Sequence, residues 1–219
     1  MKKIAIMTAG GDCAGLNAAI KSVVMAASKN NIVVVGIIDG FIGFVERKYM
    51  VLDNKIVENI ERQGGTILGS SNKECPFHYP SKEKKDEYED RVDDSIKALR
   101  KIGVEAMIII GGDGTLDSAR VIDEAGMPTI GIPKTIDNDM VASNPTIGFD
   151  TGVENAVEAI RKLKTTAASH RRVMVVEMMG RTSGYLTLYS GFAAGADIIL
   201  LPERDYDLNI VCNRVKEIM

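Results

Sequence analysis

The sequence has little cysteine, no apolar stretch long enough to span a bilayer, no large excess of either charge and no Ser- or Pro-rich linker. Each absence removes a class of protein. Cys13, Cys75 and Cys212 are odd in number and no CxxC pair occurs, which speaks against a disulfide framework or a thiolate metal site and for reduced thiols in a cytoplasmic protein. A net charge of −3 gives no electrostatic reason to expect nucleic acid, so an anionic ligand must be held by local cations. Neither GxGxxG nor GxxxxGK[ST] is present, which removes the dinucleotide fingerprint and the Walker loop. The opening MKKIAIMTAGGD has an apolar run shorter than that of a signal peptide. It runs into a glycine turn and reads as a strand.

What is there is an ordinary globular composition, 45% apolar and 26% charged over 219 residues, enough for one large domain or two small ones. Residues 3–8, 32–38, 106–110, 128–132, 173–178 and 197–201 are Val- and Ile-rich runs without alternation, the pattern of parallel strands covered on both faces. Between them lie helical periods: Leu16, Ile20, Val23, Val24 and Ala27; Val92, Ile96, Leu99 and Ile102; Val153, Ala156, Val157, Ile160 and Leu163. Strand and helix alternate, so the expected fold is a doubly wound α/β three-layer sandwich, with ligands at the carboxyl ends of the strands. The mixed-charge run from Lys82 to Arg91 reads as a solvated helix start. The last residues, LNIVCNRVKEIM, read as a helix that such a fold would follow with a further strand.

Four segments carry chemistry. Gly10-Gly11-Asp12-Cys13-Ala14-Gly15 follows the first strand and opens a helix, where glycines permit close backbone approach and the helix N-terminus favours anions; alone, a structural turn accounts for it equally well. Gly111-Gly112-Asp113-Gly114-Thr115 joins a strand to a helix and offers successive N–H groups as an anion nest, with Asp113 placed to hold Mg²⁺ beside phosphates. Lipid and NAD kinases also carry GGDGT, so this turn does not settle the substrate. In Pro133-Lys134-Thr135-Ile136-Asp137-Asn138-Asp139, an extended backbone would point both carboxylates to one side, one to accept a hydroxyl proton and one to position metal; a polar surface loop is the alternative. Arg171 and Arg172 precede one apolar run and Met179-Gly180-Arg181 follows it, supplying the residue type suited to phosphate oxygens. Gly64 to Ser71 is a further glycine turn.

Together TAGGDCAGLNAAI, GGTILGSS, IIGGDGT, PKTIDND, TIGFDT, ASHRRVMVVEMMGR and GYLTL resemble the phosphofructokinase family, in the family's order and over nearly the whole chain. The resemblance implies transfer of a phosphoryl group from ATP to fructose 6-phosphate, with Mg²⁺ as cofactor. Residues 1–145 would be a donor-binding α/β domain and 146–219 the start of a sugar-phosphate-binding α/β domain. It implies that Asp137 is the general base, that Thr135 and Asp139 surround the reacting hydroxyl and the metal, and that Arg181 stabilises the transferring group. Asp113 would contact Mg²⁺, with Gly11, Gly112, Gly114 and Thr115 lining the donor site. Met179 and Gly180 would belong to the sugar-phosphate pocket, and Arg172 would reach a neighbouring subunit's substrate, which implies a homo-oligomer, tetramer or dimer.

The donor divides the reading. Pyrophosphate users in the family tend to carry Asp where this chain has Gly114 and Lys where it has Lys134. Gly114 leaves room for an ATP α-phosphate, which favours ATP; Lys134 keeps pyrophosphate as the alternative. Where the family often has an arginine bridging the two substrates, this chain has Asn72 followed by Lys73, a point charge without a bidentate fork. The effector-site arginines of bacterial relatives are matched by Lys21, Met25, Asn54 and Lys164, which predicts little regulation there. Family members continue well beyond residue 219 and carry further 6-phosphate ligands, so a non-catalytic truncated paralogue that binds nucleotide or a full-length partner is the third reading.

Overall fold

A computed structural model describes residues 1–72, 75–81, 86–141, 143 and 145–219. The chain divides into two units, Met1–Lys134 and Thr135–Met219. The first contains β1 (Lys3–Thr8), α1 (Leu16–Lys29), β2 (Val33–Ile37), α2 (Phe41–Glu46), β3 (Tyr49–Leu52), β4 (Tyr79–Pro80), β5 (Tyr88–Glu89), α3 (Val92–Lys101), β6 (Ala106–Gly111), α4 (Asp113–Glu124) and β7, which runs Thr129–Thr135 up to the division.

The unbroken apolar runs become strands because side chains on both faces of the sheet are buried. Alternate residues of β1 point to opposite sides. Ile4 and Ile6 join Leu16, Ile20 and Val24 of α1 in one core. Ala5 and Met7 join Phe44 of α2, Leu99 of α3 and Ile122 of α4 in the other. Burying each such Leu, Ile or Phe contributes about 1.5–3 kcal/mol, so two filled layers are what hold the unit together. The strands are hydrogen-bonded in the order β3-β2-β1-β6-β7. β1 is parallel to β2 and β6, and β6 is parallel to β7. β3 is antiparallel to β2. The link between them is α2 and a few residues, shorter than a parallel crossover needs.

From β1 the chain turns to β2 on one side, and its later strand β6 lies on the other. That reversal is a topological switch point, and the crevice at the carboxyl ends of β1 and β6 is where a doubly wound sheet binds ligands. Both glycine turns open there. Residues 86–91 of the charged run are not helical, contrary to the expected helix start: Tyr88–Glu89 pairs with Tyr79–Pro80 in a two-stranded ribbon and α3 begins at Val92; residues 82–85 lie outside the described residues.

The second unit contains β8 (Ile147–Gly148), α5 (Phe149–His170), α6 (Tyr185–Ala194) and α7 (Leu208–Ile218). α5 and α6 pack through Val157, Ile160 and Ala194 and through an edge-on pair of Phe149 and Tyr189 rings, 5.4 Å between centroids. Residues 173–178 and 197–201 are not strands, contrary to the sequence reading. A strand exists only where a ladder satisfies its backbone. Among the described residues no strand pairs with either run, and Val175 is 91% exposed. No helix among the described residues is long and apolar enough to cross a membrane.

Candidate active site

In the first unit the site is built from three neighbouring strand ends. β1 ends at Thr8, and the turn that follows has Gly10 at φ 82, a left-handed conformation that a side chain would strain. A Cβ there would also lie 3.2 Å from Thr115 Oγ1 and 3.9 Å from Lys134 Nζ. The turn is therefore flanked by the first turn of α4 and by the buried end of β7. Lys134 is 4% exposed, and its ammonium donates to the carbonyl oxygen of Gly11 at 2.5 Å. The Lys134 carbonyl in turn lies 3.6 Å from where a Cβ on Gly112 would be.

The Gly64–Ser71 segment closes the other side of this turn. Gly10 N donates to Ser71 O at 2.9 Å, and Ser70 Oγ donates to Gly10 O at 2.6 Å. Thr8 Oγ1 donates to Gly69 O at 2.8 Å. Leu68, fully buried, anchors the segment over β2, where a Cβ on Gly36 would lie 2.5 Å from its Cδ2. Asn17, buried on α1, bridges the same segment: its Oδ1 accepts from Ile67 N at 2.8 Å and its Nδ2 donates to Gln63 O at 3.2 Å. Sequence reasoning quoted Asn17 inside its motif but gave it no role. The signal was a polar residue on an otherwise apolar helix face.

α4 begins at Asp113 with no side chain capping its N-terminus, and its first intrahelical bond is Leu116 N to Gly112 O. The amides of Asp113, Gly114 and Thr115 precede that bond, so they face outward with the positive end of the helix dipole. Asp113 and Gly114 are exposed, and a Cβ on Gly114 would meet nothing within 4 Å. The place the sequence reading marks as a gate is open space. Burial pushes the Cys13 thiol upward, against the pull of the Lys134 charge, so the turn carries a neutral S–H. Asn72 is exposed beside Ser71, and Lys73 lies outside the described residues.

In the second unit the acidic segment is bent rather than extended. Asn138 sits at φ 51 between the two aspartates, so Asp137 and Asp139 are not paired on one side of a strand. The loop is held by its own hydroxyls: Asp137 N donates to Thr135 Oγ1 at 3.1 Å, and Thr146 Oγ1 donates to Thr135 O at 2.7 Å. Ser183 Oγ then donates to Asp137 O at 2.7 Å, and Ser183 N donates to Gly180 O at 2.8 Å. Ser183, 8% exposed and absent from the sequence reading, thereby ties the loop of Asp137 to that of Gly180 and Arg181. Arg181 has φ 53 and Gly180 φ 140, a pair of constrained positions of the kind that gathers at functional sites. Glu203, also unforeseen, accepts from Gly184 N at 2.6 Å. Among the described residues the side chains of Asp139, Arg172 and Met179 join no hydrogen bond of this network, and Met179 is 72% exposed.

Three of the four effector-position residues, all but the exposed Met25, have hydrogen-bond partners on the chain. Lys21 Nζ lies 2.7 Å from Glu61 and by that hydrogen bond holds the Glu61 carboxyl below its usual range. Asn54 donates to Ser28, and the Lys164 ammonium donates to Gly195 O.

The family profile described as Phosphofructokinase matches residues 3–219. ATP-dependent 6-phosphofructokinase 2 of Clostridium perfringens is 47% identical over 99% of this chain and 60% of its own length. ATP-dependent 6-phosphofructokinase of Streptococcus thermophilus is 46% identical over 99% of this chain and 61% of its own. The phosphofructokinase structure from Saccharomyces cerevisiae superimposes with a TM-score of 0.86 at 30% identity, covering 100% of this chain and 31% of that one. A pyrophosphate-dependent phosphofructokinase from Marinobacter aquaeolei shares the fold, with a TM-score of 0.80 at 20% identity over 99% of this chain and 57% of that one. The chain thus spans about 60% of the length of the curated relatives it matches. By sequence and by fold, it belongs to the phosphofructokinase family.

Proposed function

We propose that this chain carries the donor site and the catalytic loop of an ATP-dependent 6-phosphofructokinase. The observation that carries the reading is the mouth of α4: uncapped amides at a helix N-terminus, beside Gly114, where a Cβ would meet nothing within 4 Å. The names of the bacterial relatives point to the same donor.

In this reading the phosphates lie against the Gly11 turn and the amides of Asp113 to Thr115. Asp137 takes the proton from the 1-hydroxyl of fructose 6-phosphate as that oxygen attacks the γ-phosphorus. The bond to the β-bridging oxygen breaks, and ADP leaves with the electron pair. Arg181 stabilises charge on the transferring group, and Thr135 holds the loop that carries Asp137. Asp139, Arg172, Met179 and Gly180 contribute to the sugar-phosphate side, with Arg172 serving a neighbouring subunit. Positioning and charge stabilisation do most of the work in such a transfer.

Asp113 suits Mg²⁺: it is exposed, and among the described residues it forms no ion pair. Among the described residues no group of three or more His, Cys, Asp or Glu could cage a metal ion. A small cation of this kind is bound by one or two carboxylates, donor phosphates and water. When bound, Mg²⁺ would neutralise charge on the phosphate oxygens.

Protein expressed from its whole reading frame is expected to form fructose 1,6-bisphosphate and ADP in equal amounts from fructose 6-phosphate and ATP with Mg²⁺. A chelator is expected to stop the reaction, and restored Mg²⁺ to revive it. ATP hydrolysis without a bisphosphorylated sugar would overturn the reading.

Pyrophosphate is the second reading, on the single ground of Lys134.

A further inference from the structure

We infer that Lys134 is a positioning residue for the phosphoryl donor, acting through the Gly11 carbonyl, and is not a determinant of pyrophosphate use; the inference rests on the reading of the Gly11 turn as a donor site.

A lysine 4% exposed is unusual, because taking an ammonium out of water is costly unless it is paired. Among the described residues no carboxylate forms an ion pair with Lys134. Among the described residues its hydrogen-bond partner is a main-chain oxygen, Gly11 O. The ammonium has three donors, and this bond uses one. A buried cation completed by one carbonyl leaves donors for an anion that arrives at the turn.

The bond also has a mechanical consequence. Gly11 is exposed, has no left-handed φ, and a Cβ there would meet nothing within 4 Å. No side chain of its own anchors this residue. Gly10 is held on its amide by Ser71 O and on its carbonyl by Ser70 Oγ. The next carbonyl, that of Gly11, is held by Lys134. A peptide's carbonyl and N–H point in opposite directions, so fixing Gly11 O also fixes the direction of the Asp12 N–H. The lysine that the sequence reading assigns to pyrophosphate thus has a use that any phosphate donor would require, ATP included.

The test is Lys134→Met in protein from the whole reading frame, with thermal unfolding measured alongside kinetics. The expected result is a KM for ATP raised about tenfold or more, the loss of one charged hydrogen bond, with KM for fructose 6-phosphate within about twofold. Lys134→Arg, which keeps a charged donor, is expected to recover part of the loss. If Lys134→Met does not fold, Lys134→Gln is read on the same scale, with a KM for ATP above wild type expected. An ATP KM within about twofold of wild type in the folded variant would overturn the inference. So would loss of pyrophosphate turnover with ATP turnover spared. If wild-type protein shows no ATP turnover, the proposed function fails. The inference is then judged by calorimetric affinity for magnesium–ATP, wild type against variant: a drop of about tenfold supports it, and unchanged or absent binding overturns it.

Discussion

Asp137→Asn is expected to lower kcat with ATP by about a thousandfold while leaving KM for fructose 6-phosphate within a few-fold of wild type. A positioned general base contributes about 10²–10⁴-fold, and loss of an interaction made only in the transition state appears in kcat rather than KM. The main-chain amide of Asp137 donates to Thr135 Oγ1 and its carbonyl accepts from Ser183 Oγ. Asparagine is nearly isosteric and keeps both. Unchanged thermal unfolding with lost turnover assigns the loss to chemistry. A variant within tenfold of wild-type kcat would remove Asp137 from the role of base.

Gly114→Asp is expected to abolish ATP use, by at least about a hundredfold in kcat/KM, without harming the fold. The new Cβ meets nothing within 4 Å, the backbone there is not left-handed, and an acidic residue in the first turn of α4 favours the helix dipole. The effect is therefore on the ligand. Two like charges about 4 Å apart at an effective dielectric of about 20 repel by about 4 kcal/mol, close to three orders of magnitude in affinity. Kinetics with each donor and a melting curve read both parts of the prediction. ATP turnover retained in a folded variant would sink the steric and electrostatic gate.

The order of elements in the first unit was legible because its strands are buried on both faces. β1, β2 and β6 stand out as apolar runs without alternation, and α1 and α3 show their inward faces at helical spacing. The glycine turns were legible for the same reason: they sit where those runs stop. Residues 173–178 look identical in kind to β2, yet form no strand. The pattern reports burial capacity, whereas a strand needs a hydrogen-bonding partner that no local sequence contains. The paired-carboxylate reading of Asp137 and Asp139 failed on one dihedral, the positive φ of Asn138. A residue tolerant of left-handed backbone between two acids was the available hint. Ser183 was out of reach, since its partner Asp137 lies 46 residues away and a lone serine carries no pattern. Lys134 was seen but placed by analogy. Its bond to Gly11 spans 123 residues of sequence and only the fold brings the two together.

The central claim is that the donor is ATP and that Gly114, rather than Lys134, decides it. The most direct test is kcat/KM for ATP and for pyrophosphate, measured side by side on wild-type protein from the whole reading frame with saturating fructose 6-phosphate and Mg²⁺. The account predicts fructose 1,6-bisphosphate from ATP, with kcat/KM for ATP above that for pyrophosphate. A ratio that favours pyrophosphate, or no product from ATP, would contradict it.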